Sequence, residues 1–133
     1  MKNLLLITAL TLLLGAAQCG SVENIQLGEP FSLQLGQQVQ SERNALQFTS
    51  VKEDSRCPKY TNCLWEGQVV VQLMLGDKDR QAIDLALRPN EPAAAQGMAD
   101  GYIYTLQEVN PYPQAGQSIK MEDYIITLVV EAI

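Results

Sequence analysis

The segment from residue 54 to residue 67 holds most of the side chains in this 133-residue chain whose types and spacing could support chemistry. It reads Asp-Ser-Arg-Cys-Pro-Lys-Tyr-Thr-Asn-Cys-Leu-Trp-Glu-Gly and contains two of the three cysteines and the one tryptophan. Five residues separate Cys57 from Cys63, and Pro58 and Asn62 favour a chain reversal that brings the two sulfurs within bonding distance. The spacing predicts a disulfide-closed loop, which removes about 2 kcal/mol of unfolded-chain freedom.

A catalytic redox role for Cys57 and Cys63 is the alternative. Thioredoxin-like chemistry uses cysteines two residues apart in a βαβ setting, and neither feature is present here. We therefore expect the pair to be structural.

The residues that follow the second cysteine suggest how the loop packs. If the chain is extended there, Trp65 lies on the same face as Cys63 and Gly67 and packs over the bridge. Gly67 then marks a bulge or a close approach between two backbone segments.

Other catalytic and metal chemistry has little support in the sequence. The chain has no histidine, which removes the common Ser-His and Cys-His pairs. Carboxylates near the loop could form a hydrolase pair with carboxyl groups about 5 to 10 Å apart, and the candidates are Glu53, Asp54 and Glu66. Methionines could bind copper and an Asp-x-Asp turn could bind calcium, at Met74, Met98, Met121, Asp77 and Asp79. Core packing, a hairpin turn and a solvated acidic surface explain these residues better, so we expect no catalytic residue, no metal and no cofactor.

The N-terminus has the layout of a secretory signal peptide. Lys2 precedes an apolar run from Leu4 to Leu14, followed by the small residues Gly15, Ala16 and Ala17. This run is shorter than the about 20 residues that a helix needs to cross a bilayer. Residues 1–18 are therefore predicted to be a signal peptide, and the mature chain is expected in an oxidising compartment.

Cys19 follows the predicted signal peptide directly. The sequence Ala-Ala-Gln-Cys-Gly over residues 16–20 resembles a bacterial lipobox, with Ala16 where leucine is usual and Gln18 where glycine or alanine is usual. Lipidation at Cys19 leaves the other two cysteines as a pair. The alternative is ordinary cleavage near Ala17, which would leave Cys19 as a free thiol.

The mature chain is acidic and has the size of one domain. Loss of Lys2 leaves eight basic and fifteen acidic residues, a net charge of −7. That charge, without any basic run, disfavours nucleic acid and anionic headgroups as partners, so membrane contact is expected only through the lipid. We expect a short tether over residues 19–28 and a single domain over residues 29–133.

Hydrophobic residues alternate with polar ones along most of the mature chain, which predicts strands with one buried face. The alternation is seen around Phe31–Leu35, Leu46–Phe48, Val69–Leu75, Ile83–Leu87 and Tyr102–Leu106. The sequence Gly-Asp-Lys-Asp over residues 76–79 joins the runs Val69–Leu75 and Ile83–Leu87, which indicates a hairpin. The stretch from Tyr124 to Val130 is nearly all apolar, so we expect a central strand covered on both faces.

Proline and glycine divide these strands, and Ala93–Gln96 is predicted to form one helical turn between Pro92 and Gly97. Short strands at this spacing predict an all-β domain, a single antiparallel β-sandwich or small barrel of about six to eight strands.

The motif of residues 54–67 resembles a pattern in small bacterial secreted proteins and lipoproteins: Asp-Ser-Arg-Cys-Pro, a second cysteine after five residues, then Trp-x-Gly. The likeness extends more loosely to the strand around Phe31, the Pro111-Tyr112-Pro113 segment and the final strand. It implies an exported β-rich domain of the bacterial envelope, in a family without an established activity.

The function expected from the sequence is non-catalytic binding of an envelope protein or a small ligand, at the outer membrane or cell surface, or alternatively in the periplasm or medium. Exposed arginine and aromatic residues are frequent interface anchors. The predicted binding residues are Arg56, Lys59, Tyr60, Trp65 and Tyr112, whereas Tyr102 and Tyr104 are expected in the core. One alternative is a protease inhibitor that presents Arg56 and Lys59 on the rigid loop, and the other is the carboxylate hydrolase.

Overall fold

A computed structural model describes residues 23–133, and this part of the chain is built from β-strands. Their bounds are β1 (Glu23–Asn24), β2 (Phe31–Gln34), β3 (Gln38–Gln40), β4 (Ala45–Asp54), β5 (Val69–Leu75), β6 (Gln81–Leu87), β7 (Gln96–Ala99), β8 (Tyr102–Asn110) and β9 (Ile125–Ala132). Two short 3₁₀ turns, Pro92–Ala95 and Met121–Asp123, are the helical elements of the described residues. None of the described helical segments is long and apolar enough to cross a membrane.

The strands form two sheets that pack face to face. One has the order β1-β3-β4-β5-β6 and the other β2-β9-β8-β7. Neighbouring strands are antiparallel except β1, which runs parallel to β3. The prediction of an all-β fold is therefore confirmed, and of its two predicted forms the structure has the β-sandwich.

The core lies between the sheets, and alternation along each strand supplies it. Every second residue of β5 is buried, from Val69 to Leu75, and the same holds for β8 from Tyr102 to Leu106. Each fully buried side chain of this size contributes about 1.5 to 3 kcal/mol relative to an exposed one. Tyr102 and Tyr104 belong to this core, as the sequence predicted.

The β5–β6 hairpin forms where the sequence predicts it, and the predicted helical turn forms one residue earlier, over Pro92–Ala95. Strand β9 is central, between β2 and β8, as expected. Its inner residues Ile126, Leu128 and Val130 are fully buried, whereas Ile125 and Thr127 on the outer face are only half-buried. The expected burial of both faces is thus wrong for the first part of β9, whereas Val129 further along the outer face is buried.

The structure differs from the expected tether, residues 19–28, over the second half of that segment. Glu23 and Asn24 pair with β3, and Ile25 and Leu27 pack against the core. A two-residue strand carries no periodic signal, so the sequence could not reveal this pairing. The predicted signal peptide, residues 1–18, and the predicted lipidation site Cys19 lie outside the described residues.

Candidate functional site

The segment between β4 and β5, residues 55–68, forms a loop closed by a disulfide, and we refer to it as the disulfide loop. Cys57 and Cys63 are bonded, with their Cα atoms 6.0 Å apart, as the spacing predicted. The neck of the loop continues the antiparallel pairing: the Ser55 amide donates to the Gln68 carbonyl at 2.7 Å, and the Cys57 amide donates to the Glu66 carbonyl at 3.1 Å. The disulfide and the hydrogen bonds of the neck therefore hold the loop closed at two points.

Gly67 makes this neck possible. Its φ is +65°, in the region that favours glycine, and a Cβ at this position would lie 1.8 Å from the Ser55 carbonyl oxygen. The close backbone approach expected at Gly67 is confirmed.

The Arg56 side chain is largely buried, so it lacks the exposure that the sequence analysis expected of it. Its side chain is only 8% exposed, and its guanidinium donates two hydrogen bonds to the Asp54 carboxylate, at 2.8 and 2.7 Å. Its other donors reach the carbonyl oxygens of Val109 at 2.7 Å and Pro111 at 3.1 Å. Bidentate pairing with a carboxylate is the strongest geometry that arginine has, and it fixes the side chain in place.

Tyr124 completes this cluster, because its hydroxyl donates to the second Asp54 oxygen at 2.9 Å. We call Asp54, Arg56 and Tyr124 the Arg56 clamp. Asp54 ends β4 of the first sheet, whereas Val109 belongs to β8 of the second sheet and Tyr124 directly precedes β9. The clamp therefore joins the two sheets at the end of the sandwich from which the disulfide loop emerges.

The disulfide loop also rests on the segment after β8. The Lys59 amide donates to the Pro113 carbonyl at 3.1 Å. The Tyr112 ring lies under two cations, with Arg56 Cζ 4.9 Å and Lys59 Nζ 5.7 Å from its centroid. Arg56, Lys59 and Tyr112, three of the five predicted binding residues, thus meet here, mainly to hold the loop in place.

The clamp lowers the pKa of Asp54. Burial by itself would raise this pKa, but the hydrogen bonds from Arg56 and Tyr124 and the charge of Arg56 outweigh it and leave the pKa below its ordinary value of 3.8. The pKa of Tyr124 is raised to about 12, first by burial and then by its bond to Asp54. Both shifts keep Asp54 charged and Tyr124 a donor at neutral pH.

We expect the stability contributed by Asp54 to depend on pH. Because its pKa is lower in the folded chain than in the unfolded one, ionised Asp54 stabilises the fold above pH 3.8, and this contribution is lost as the pH falls through the folded pKa. Urea unfolding should show Asp54→Asn less stable than the parent at pH 7, with a gap that narrows below pH 3.8. Asp84→Asn, in the exposed pair with Lys52, is the control and should cost under about 1 kcal/mol. A gap that stays constant down to pH 2 would contradict this assignment.

Three large apolar side chains of the loop project into solvent. Tyr60, Leu64 and Trp65 are 106%, 99% and 75% exposed, and we call them the apolar tip. The prediction that Trp65 packs over the disulfide is wrong. Residues 61–68 form no strand, so alternation of faces does not apply to them.

An open groove of about 910 Å³ lies beside the disulfide loop. The neck of the loop forms one wall, the chain from Leu87 to Ala95 forms the other, and Gln107–Asn110 of β8 line it between them. The lining is mixed: Leu87, Pro92 and Val109 are apolar, whereas Lys59 and Glu108 are charged. None of the three tip residues lines this groove.

The part of β8 in the groove has a neighbouring strand on one side only. β7 pairs with β8 from Tyr102 to Thr105, whereas β9 continues to pair as far as Asn110, past a bulge between Leu106 and Glu108. The second half of β8 therefore has a sheet edge without a paired strand, in a stretch where the Val109 carbonyl already accepts a hydrogen bond from Arg56. Sequence reasoning missed this edge, because it depends on where the short strand β7 ends.

Two of the three candidate carboxylates near the loop, Glu53 and Asp54, are engaged by other groups, and the third, Glu66, lines the groove. The Asp54 carboxylate is held by Arg56 and Tyr124, and Glu53 accepts hydrogen bonds from Ser55 at 3.0 Å and Gln68 at 2.7 Å. Within residues 23–133 there is no cluster of three or more cysteine, aspartate or glutamate side chains that could hold a metal ion.

No protein-family model, curated protein or solved structure matches this chain. Its function is therefore inferred from the geometry and chemistry described above.

Proposed function

We propose that this chain is an exported, lipid-anchored domain of the bacterial envelope that binds, without catalysis, an extended segment of another envelope protein. The signal-like N-terminus, the lipobox-like sequence at Cys19 and the resemblance of residues 54–67 to exported proteins support export and anchoring. The Cys57–Cys63 disulfide supports a location outside the cytoplasm, because disulfides persist in oxidising compartments.

The observation that carries the proposal is the open edge of β8 inside the groove. An extended peptide can add to such an edge as a further strand, with main-chain hydrogen bonds providing affinity and side-chain contacts providing specificity. Apolar residues such as Leu87 and Pro92 can contact the apolar side chains of such a segment, and Lys59 and Glu108 can pair with its charges. An open groove of this kind suits a polypeptide better than a small molecule, which prefers an enclosing cavity.

The groove is also held in shape before any ligand arrives. The disulfide and the Arg56 clamp fix one wall to both sheets. Because the walls are already ordered, less conformational entropy is lost when a ligand binds.

The two alternatives from the sequence have less support. In a protease inhibitor, the specificity residue must enter a pocket of the enzyme. The Arg56 side chain is buried and bonded to Asp54 and two carbonyls, which leaves the exposed Lys59 as the one candidate of the two. In a carboxylate hydrolase, two carboxyl groups must face one another across a cleft, whereas Asp54 faces Arg56 and Tyr124.

Photo-crosslinking in the intact envelope tests the proposal. We would place a photoreactive side chain at Gln107, which is exposed in the groove, and at Asp77, which is exposed in the β5–β6 turn at the opposite end of the sandwich. We expect a discrete protein adduct from position 107 and none from position 77, and we expect Glu108→Lys to weaken it. Equal adducts from both positions, or none from position 107, would refute the groove as the binding site.

A further inference from the structure

A second depression, of about 660 Å³, lies directly beside the groove, and we call it the side depression. The two share part of their lining, which consists of Glu66, Gly67, Arg88, Pro89 and Glu91. A polypeptide bound in the groove can therefore continue past the neck of the disulfide loop without leaving the surface. Its next side chains would then enter the side depression.

Trp65 gives the side depression an exposed aromatic ring. It is the one residue of the apolar tip that lines this depression, and it is 75% exposed. The face of an indole ring attracts cations more strongly than the other aromatic rings do. Within residues 23–133, the two cations found over an aromatic ring, Arg56 and Lys59, both lie over Tyr112. The Trp65 ring can therefore take a cation from a ligand.

The charges around Trp65 favour a cation as well. Three carboxylates and one guanidinium line the side depression: Glu53, Glu66, Glu91 and Arg88. The guanidinium of Arg88 already donates to Gln68 and, at 3.2 Å, to Glu91. An acidic side chain of a ligand would be repelled here, and an apolar one would take water from the carboxylates without replacing their hydrogen bonds. A lysine or arginine side chain suits both the ring and the carboxylates.

From these observations we propose that the side depression is a subsite of the groove that takes a lysine or arginine side chain of the bound segment, with the Trp65 ring and the Glu66 carboxylate as its main contacts. This inference deepens the proposed function and rests on peptide binding in the groove. Glu66 lines both the groove and the side depression, so it lies where the segment passes from one to the other. The partner is then a protein whose extended segment carries a basic residue.

The position of β1 leaves this surface accessible in an anchored chain. Glu23 pairs with Val39, which in turn pairs with Leu46 near the start of β4. The disulfide loop follows the other end of β4, so Glu23 lies at the end of the sandwich opposite the loop. An anchor four residues earlier, at Cys19, would therefore leave the groove and the side depression free to face a partner.

Peptides selected from a displayed library of random heptapeptides on the oxidised protein test the subsite. We expect the selected peptides to form adducts with a photoreactive side chain at position 107 and to share a lysine or arginine at one position. Trp65→Leu, which keeps apolar area but removes the aromatic ring, should weaken binding of such a peptide about five- to tenfold. Glu66→Lys should change the preferred residue at that position to aspartate or glutamate.

Two matched variants control for other effects. Leu64→Ala changes an exposed tip residue that lines neither the groove nor the side depression, and Asp77→Lys makes the same charge change as Glu66→Lys at the opposite end of the sandwich. Both should leave the preferred residue unchanged and alter affinity by less than about twofold, because distant charges are screened.

Two results would count against the inference, and they differ in what they say about the groove. Peptides that form adducts at position 107 without a basic preference, or with one that survives either Trp65→Leu or Glu66→Lys, would overturn the subsite and leave the groove as the binding site. If no selected peptide formed an adduct at position 107, the groove and the subsite would both be refuted.

Discussion

Replacing Gly67 with alanine should cost about 3 to 5 kcal/mol of unfolding free energy, a large effect for the addition of one methyl group. The new Cβ would lie 1.8 Å from the Ser55 carbonyl oxygen, and the obstacle is backbone that cannot rotate away. The neck must therefore open, which breaks the hydrogen bonds of Ser55 and Cys57 across it. Urea unfolding of the oxidised protein measures the loss.

Gly116→Ala is the matched control for the effect of backbone conformation. Its φ of +75° is similar to that of Gly67, but no atom lies within 4 Å of its added Cβ. We expect a cost of about 1 kcal/mol, which is the ordinary penalty for a side chain in the left-handed region. Equal losses for the two variants would show that the approach between Gly67 and Ser55 is not close.

Removing the guanidinium of Arg56 should cost about as much unfolding free energy as Gly67→Ala. Arg56→Met keeps the apolar stem but leaves the Asp54 carboxylate with an uncompensated charge and the carbonyls of Val109 and Pro111 without their donor. Breaking one side of a buried ion pair costs about 3 to 5 kcal/mol, and urea unfolding at pH 7 should show a loss of this size.

Two further variants separate the clamp from general charge effects. Lys52→Met breaks an ion pair of similar length, 2.8 Å against 2.7 Å, but its side chains are 49% and 43% exposed, so the cost should stay under about 1 kcal/mol. Asp54→Asn combined with Arg56→Met should be less destabilising than the sum of the single changes, because no unpaired charge remains. Strict additivity would mean that Asp54 and Arg56 do not act together.

Local patterns in the sequence are sufficient to predict most of the fold. A strand with one buried face must alternate, and this holds for β5 and for β8 from Tyr102 to Leu106, whereas two bulges interrupt the alternation in β4. β1, β3 and β7 have two to four residues each and give no periodic signal, so the sequence could not indicate them.

The candidate site was predictable only where its parts are close in sequence. The cysteine spacing and Gly67 indicated the disulfide and the close approach. The role of Arg56 depends on Val109 and Tyr124, which lie 53 residues from Arg56 and 70 residues from Asp54, and no local pattern shows such contacts. The error for Trp65 has a different cause, since the alternation rule was applied to a segment that forms no strand.

Peptide mass mapping of the chain purified from the cell that makes it tests most directly whether this domain works outside the cytoplasm, anchored at Cys19 and braced by its disulfide. We expect an N-terminal peptide that begins at Cys19 and carries acyl chains, and a linked pair of peptides joined through Cys57 and Cys63. A chain that retains Met1 and has three free thiols would contradict this view of the protein.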